Sequence, residues 1–165
     1  MRYDLLRRSG TIYSDATVLF HPTQRYDFAD VISWSISDNL TASGTVIPAI
    51  RMGNRSRPFK EGMIFHSDRG IQYACKQTVN LLQYSRVDQS MSGKGNCWDN
   101  AVAESFFKSF KTELIYGTKL KTKEQMRLHV FEYIESRYNH KRRFSALGNL
   151  TIDEFWEQYN ITIVR

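Results

Sequence analysis

Val31 to Ser37 (V-I-S-W-S-I-S) alternates apolar and polar residues with a period of two, as a strand with one buried face does. Asp38 and Asn39 end it. From Thr41 to Met52 the period changes: Ala42, Val46, Ala49 and Ile50 recur at helical spacing. Pro48 falls inside that run, where a proline is expected to kink the helix. Gly53 to Gly62 is polar and reads as a surface loop. Met63-Ile64-Phe65 is a short apolar run, the pattern of a buried strand, and it stops at His66-Ser67-Asp68-Arg69-Gly70. A helix over Tyr73 to Leu82 and a short strand near Arg86 to Gln89 follow. Ser92 to Asn96 (S-G-K-G-N) is a glycine-bearing loop. The next helix starts near Asp99 or Asn100, both good N-caps, and runs to about Tyr116. Ala103, Phe106, Phe110 and Leu114 share one of its faces, and Glu104, Lys108 and Lys111 another. A further helix spans Thr122 to Tyr138. A last short helix is capped by Thr151, with Glu154 three residues on completing a capping box. Ahead of Val31, Thr11 to Phe20 reads as a strand broken off by His21-Pro22, without an evident hairpin partner. Strands first, then strand–helix alternation, then helices is an α/β order with a helical tail.

Composition narrows this little: 165 residues with 41% hydrophobic and 13% aromatic content make an ordinary single domain rather than a disordered chain. No apolar run approaches transmembrane length, and the start lacks a signal peptide's apolar run and cleavage site, so a cytoplasmic protein with no membrane partner is expected. Cys75 and Cys97 form neither a C-x-x-C pair nor a disulfide framework. Charge changes the picture more. The net charge is +6, and the segment Ser105 to Arg143, with ten Lys and Arg against four Glu, carries all of it. Aromatic residues (Phe106, Phe107, Phe110, Tyr116, Tyr133, Tyr138) are interleaved with those bases, which points to a polyanionic partner.

Two carboxylates stand out. Asp68 sits where a buried strand ends, the place where α/β sheets put their sites. Glu104 lies on a helix with thirty-five residues between it and Asp68. Lys108 and Lys111 follow Glu104 by four and seven residues, which puts all three on one helix face. Each residue taken singly has an ordinary explanation: a turn aspartate, an exposed helix glutamate, a solvated lysine pair.

Together they do not. The runs His66-Ser67-Asp68-Arg69-Gly70-x-Gln72-Tyr73 and Ser92-x-Lys94-Gly95-Asn96-Cys97-Trp98-Asp99-Asn100-Ala101-x-x-Glu104-Ser105-Phe106-Phe107 resemble the transposases of bacterial insertion sequences, which have a retroviral-integrase-like catalytic core. The tail fits the same pattern through Tyr133-Ile134-Glu135, Tyr138-Asn139, Arg142-Arg143-Phe144-Ser145-Ala146-Leu147-Gly148 and Thr151-Ile152-Asp153-Glu154-Phe155. The resemblance covers about Val31 to Tyr159. It implies a ribonuclease-H-like α/β fold: a mixed sheet flanked by helices, with a helical C-terminal extension over 120–165. It implies metal-dependent DNA cleavage and strand transfer by a triad of two aspartates and a glutamate. Asp68 is then the second aspartate and Glu104 the glutamate, separated as such cores separate them. Asp15, in Ser14-Asp15-Ala16-Thr17, is the expected first aspartate, with Asp27 and Asp30 as rivals. The three would hold two Mg2+ or Mn2+ ions, which suits the oxygen-ligand preference of magnesium and the two-metal route of phosphoryl transfer. Lys108, Lys111, Lys141, Arg142 and Arg143 are the expected DNA contacts. Transposon ends and target DNA are the expected partners, with self-association or pairing with a full-length transposase.

The pattern also expects a strand between Asp15 and Trp34. Arg25-Tyr26-Asp27-Phe28-Ala29-Asp30 stands there instead, and the helix-turn-helix region of a complete transposase is not in the sequence. The chain is therefore expected to be one catalytic-core domain with a shortened first hairpin over 1–30. An inactive remnant that only binds DNA or an intact transposase is the competing expectation.

Overall fold

The computed structural model describes residues 15–20 (as backbone), 31–37, 39, 41–93, 101–116 and 122–158. Its centre is a strand with a helix laid along each face. β1 (Asp15–Phe20) pairs antiparallel with β2 (Val31–Ser37), Asp15 opposite Ser37. α1 (Val46–Ser56) crosses one face of β2. Ser33 Oγ donates to the Ala49 carbonyl (2.9 Å) and Ser35 Oγ to that of Thr45 (2.5 Å). As β2 advances α1 recedes, so the two run antiparallel. Buried serines suit this face, because a short side chain lets the helix come close and its hydroxyl still finds a partner.

The other face of β2 meets a helix in the tail, α5 (Lys123–Phe131), which continues as a π-helical stretch, Glu132–Tyr138. Arg127 Nη2 donates to the Ile36 carbonyl (3.3 Å), Trp34 Nε1 to Glu135 Oε1 (3.3 Å), and Asn139 Nδ2 to the Val31 carbonyl (2.9 Å). The order 127, 135, 139 against 36, 34, 31 makes this helix antiparallel to β2 as well. Asn139 also accepts the Val31 N–H on Oδ1 (3.0 Å). One buried amide thus serves both polar groups of a strand residue, as a neighbouring strand would. Asn139→Ala strands both groups and is expected to cost about 2–3 kcal/mol, read as a lower urea midpoint at unchanged m-value.

Two cores result. Between β2 and the C-terminal helices lie Phe106, Phe107 and Phe110 of α4 (Ala101–Phe110), with Met126, Val130, Tyr133, Ile134 and Tyr138. Phe106 meets Phe107 and Tyr138 edge-on at 5.1 and 4.8 Å between centroids, a favourable geometry for aromatic quadrupoles. The second core joins α1 to β3 (Ile64–Ser67), α3 (Lys76–Tyr84) and β4 (Asp88–Met91) through Val46, Ala49, Ile50, Leu82 and Val87. β3 and β4 run parallel, and α2 (Ile71–Ala74) is a single turn ahead of α3. The chain closes with a 3-10 turn, Ser145–Leu147, and α6 (Ile152–Gln158). Gly148, at φ 67°, ends that turn in the left-handed region that favours glycine.

Several expectations shift. Pro48 does not kink α1; the helix starts at Val46, so the proline sits in its first turn, where no intrahelical N–H is lost. α1 continues past Gly53 to Ser56, shortening the expected loop. The helix expected over Tyr73 to Leu82 is two, broken at Cys75. Thr122 with Gln125, and Thr151 with Glu154, form capping boxes. The mixed sheet is realised as two ladders, one antiparallel and one parallel. Among the described strands β3 pairs only with β4, so the strand of Asp15 is a neighbour of β2 and not of β3. The ten positions between β1 and β2 are enough to join antiparallel neighbours, which need no crossover.

Candidate active site and nucleic-acid face

The carboxylates come from three kinds of local structure. β3 ends at Ser67 and the chain turns at once. The Gly70 N–H donates to Asp68 Oδ1 (2.8 Å), an Asx turn that aims the half-buried carboxylate. A Cβ on Gly70 would lie 2.9 Å from that same oxygen, so a side chain here would have to push the carboxylate out of the turn. The turn also starts α2, with the Tyr73 N–H on the Gly70 carbonyl (2.9 Å). Glu104 is exposed in the first turn of α4, because Phe106, Phe107 and Phe110 take the opposite side into the core. Lys108 is exposed and Lys111 half-exposed farther along. Asp15 is the first residue of β1, and its side chain lies outside the described residues, as do Asp27, Asp30, Cys97, Asp99 and Asn100. Among the described residues no three His, Cys, Asp or Glu side chains form a metal-holding cluster. The donor chemistry of Asp68 and Glu104, hard carboxylate oxygens, nevertheless suits a divalent ion.

β3 and β4 are joined across their ends as well as along them. His66 Nδ1 lies 3.0 Å from Ser90 Oγ and its Nε2 3.2 Å from Ser92 Oγ. The Ser92 N–H donates to the Ser67 carbonyl (2.9 Å), and Arg69 Nε to the Ser92 carbonyl (3.0 Å). His66 therefore acts as a structural link.

The basic tail divides. Lys141 is exposed. Arg143 grips both oxygens of Glu154 (3.0 and 2.9 Å). Arg142 turns inward: it pairs with Glu113, donates to Ser109 Oγ (3.0 Å), and lies over the rings of Tyr138 and Phe144 at 6.0 and 5.6 Å. Glu113 also meets Arg137 Nε at 3.4 Å and accepts from the Tyr133 hydroxyl (3.4 Å). It sits in a π-helical continuation of α4, Lys111–Ile115, which faces that of α5. Burial opposes charge on Arg142, but the Glu113 hydrogen bond and charge outweigh it and hold the guanidinium above its ordinary pKa. A cleft of about 750 Å³ opens here, lined among others by Glu113, Arg137, Lys141, Arg142 and Arg143. Sequence reasoning counted Glu113 as one of four acids and Arg69 as a motif letter; nothing in local periodicity marks either one's partner.

Helices on both faces of β2, a parallel β3–β4 ladder with Asp68 just past the end of β3, and Glu104 on the helix that follows β4 make an α/β fold of the integrase-core type. The fold aligns with one in a cryoEM structure of a simian T-cell lymphotropic virus intasome in complex with PP2A regulatory subunit B56 gamma (TM-score 0.63, 11% identity, 100% of this chain and 53% of that one). It also aligns with the catalytic core domain of BIV integrase (TM-score 0.58, 16% identity, 90% and 88%). Residues 85–151 match the integrase core domain family. Among curated proteins, transposase InsF for insertion sequence IS3fB of Escherichia coli K12 is 42% identical over 130 residues, 78% of this chain and 44% of that protein. An uncharacterized 31 kDa protein of insertion element IS600 from Shigella sonnei is 35% identical over 131 residues, 79% and 48%. The chain belongs to the bacterial insertion-sequence transposases with an integrase-like core, and it spans just under half the length of these relatives.

Proposed function

We propose that this chain is a transposase catalytic core that cleaves DNA at transposon ends and joins them to target DNA. The observation that carries the reading is the placement of Asp68 and Glu104: a carboxylate fixed by an Asx turn at a strand end, and a second exposed on the helix that follows β4, within a sequence 42% identical to a transposase. Topology supports Asp15 as the third. Asp15 lies opposite Ser37, the end of β2. A helical crossover, α1, joins β2 to β3, a connection long enough for the two strands to run in the same direction, which would bring the end of β2, and with it Asp15, to the side where Asp68 follows β3. Two divalent ions, Mg2+ or Mn2+, supply activation of the attacking oxygen and stabilisation of the leaving one when bound. Asp15, Asp68 and Glu104 would hold them; Lys108, Lys111 and Lys141 would hold the phosphate backbone, with self-association or a full-length transposase completing the assembly. Arg142 and Arg143 are better placed to brace the tail that presents Lys141.

A second reading, a DNA-binding remnant without catalysis, draws support from the pairing of β1 with β2 alone. Incubating the chain with duplex DNA carrying transposon ends and Mg2+ or Mn2+ separates the two. Nicked and joined products that disappear with a chelator support catalysis; bound but uncut DNA supports the remnant. In either case affinity should fall linearly with log salt. Lys108→Ala with Lys111→Ala should flatten the slope by about two units, measured by fluorescence anisotropy.

A further inference from the structure

Ser92 is 5% exposed and is gripped by three residues within one four-residue run on the far side of the ladder. His66 meets its hydroxyl, Ser67 takes its N–H, and Arg69 takes its carbonyl. The second and third of these residues, Ser67 and Arg69, flank Asp68. Ser92 is also the point from which the chain leaves β4 for α4 and Glu104. The Asp68 turn and the root of the connection to Glu104 are thus one hydrogen-bonded unit. Of its members only Arg69 has a charged donor, and its bond spans a separation of 23 residues. The other links close the β ladder and need no arginine. A charged donor on a carbonyl is roughly twice as strong as a neutral one, and the guanidinium offers it from the residue directly after the aspartate.

We infer that Arg69 is a positioning residue: by holding the Ser92 carbonyl it fixes where the chain departs for Glu104, and so sets that carboxylate relative to Asp68. This rests on the catalytic reading above. It predicts that Arg69 acts on metal binding rather than on DNA affinity.

The test uses the whole chain with Arg69→Ala and Arg69→Lys, the lysine keeping a charged donor within reach of the carbonyl. In Arg69→Ala, amide exchange at Ser92 should rise about tenfold while Phe65 to Ser67 keep their protection, and Arg69→Lys should recover most of it. Binding of Mn2+ alone, by calorimetry, should weaken about tenfold in Arg69→Ala, and the Mn2+ concentration for half-maximal cleavage should rise in step, with the DNA Kd unchanged. Unchanged exchange at Ser92 overturns the inference. So does faster exchange with wild-type Mn2+ binding, which reduces Arg69 to a local anchor. Weaker DNA binding with unchanged Mn2+ dependence makes Arg69 a DNA contact instead. A wild-type chain that neither binds Mn2+ nor cleaves DNA overturns the catalytic reading itself, and is recognised without reference to any variant.

Discussion

Asp68→Asn and Glu104→Gln are each expected to abolish metal-dependent cleavage, by a thousandfold or more, and to leave DNA affinity within about twofold. The size follows from what each carboxylate is proposed to hold. Stabilisation of transition-state charge by a bound divalent ion is worth several kcal/mol, and each 1.36 kcal/mol is roughly a factor of ten in rate. Both substitutions keep the shape of the side chain and remove its charge. Asp68→Asn can still accept the Gly70 N–H through its amide oxygen, so the turn survives. Glu104 is exposed, so its replacement leaves the aromatic core untouched. DNA affinity depends on neutralised phosphates, which neither carboxylate supplies. Single-turnover cleavage on labelled transposon-end DNA, with anisotropy on the same DNA, checks both halves. Undiminished cleavage in either variant would remove that residue from the site.

Glu113→Ala should cost about 2–3 kcal/mol, below the roughly 3–5 kcal/mol of orphaning a fully buried charge because both partners are partly exposed. That is a large part of the roughly 5–15 kcal/mol a domain possesses. The Arg142 side chain is 27% exposed and that of Glu113 22%. Removing the carboxylate leaves the guanidinium between Tyr138 and Phe144 without its counter-charge, and takes the acceptor from Tyr133. Glu113→Leu with Arg142→Met should recover most of the loss, because the pair's value lies in mutual compensation. Urea unfolding of the two single variants and the double one measures the coupling, and additive losses would show that none exists. The same cluster sets an alkaline limit. Burial, then the charge of Glu113, raises the Tyr133 phenol well above its ordinary value, although Arg142 pulls the other way. A group whose pKa is raised by folding adds stability below its unfolded pKa, near 10 for tyrosine, and loses it as pH climbs from there toward the folded value. Stability should therefore decline above about pH 10 in wild type, and Tyr133→Phe should flatten that decline.

Much of the architecture was legible because it is local. The period-two run Val31 to Ser37 is β2. The Thr151–Glu154 capping box starts α6, and the Phe106–Phe110 spacing buries the face of α4 that leaves Glu104 outside. A strand's pleat, a cap and a helix face each involve residues a few positions apart, so the sequence alone contains the cause. The order of elements and the setting of Asp68 at a strand end were legible for the same reason, and the motif runs around Asp68 and Glu104 were enough to place the chain among the transposases.

Other features needed the third dimension. Asp15 reads as a strand residue from its surroundings, but that its strand pairs antiparallel with β2 is visible only in three dimensions. Arg142 and Arg143 look like Lys141 in a basic run. Only packing distinguishes the arginine drawn onto Glu113, 29 positions away, and the one clamped on Glu154 from the lysine left in water. Asn139 completes a strand residue 108 positions earlier, and Arg69 ties two strand ends. The physical division is one of range. Periodicity and capping are decided by forces acting within a turn or a strand, so the sequence by itself determined the elements and the face each one buries. Pairing partners and buried charges are decided by which surfaces meet once those faces come together, and only the tertiary structure determines which residues find each other.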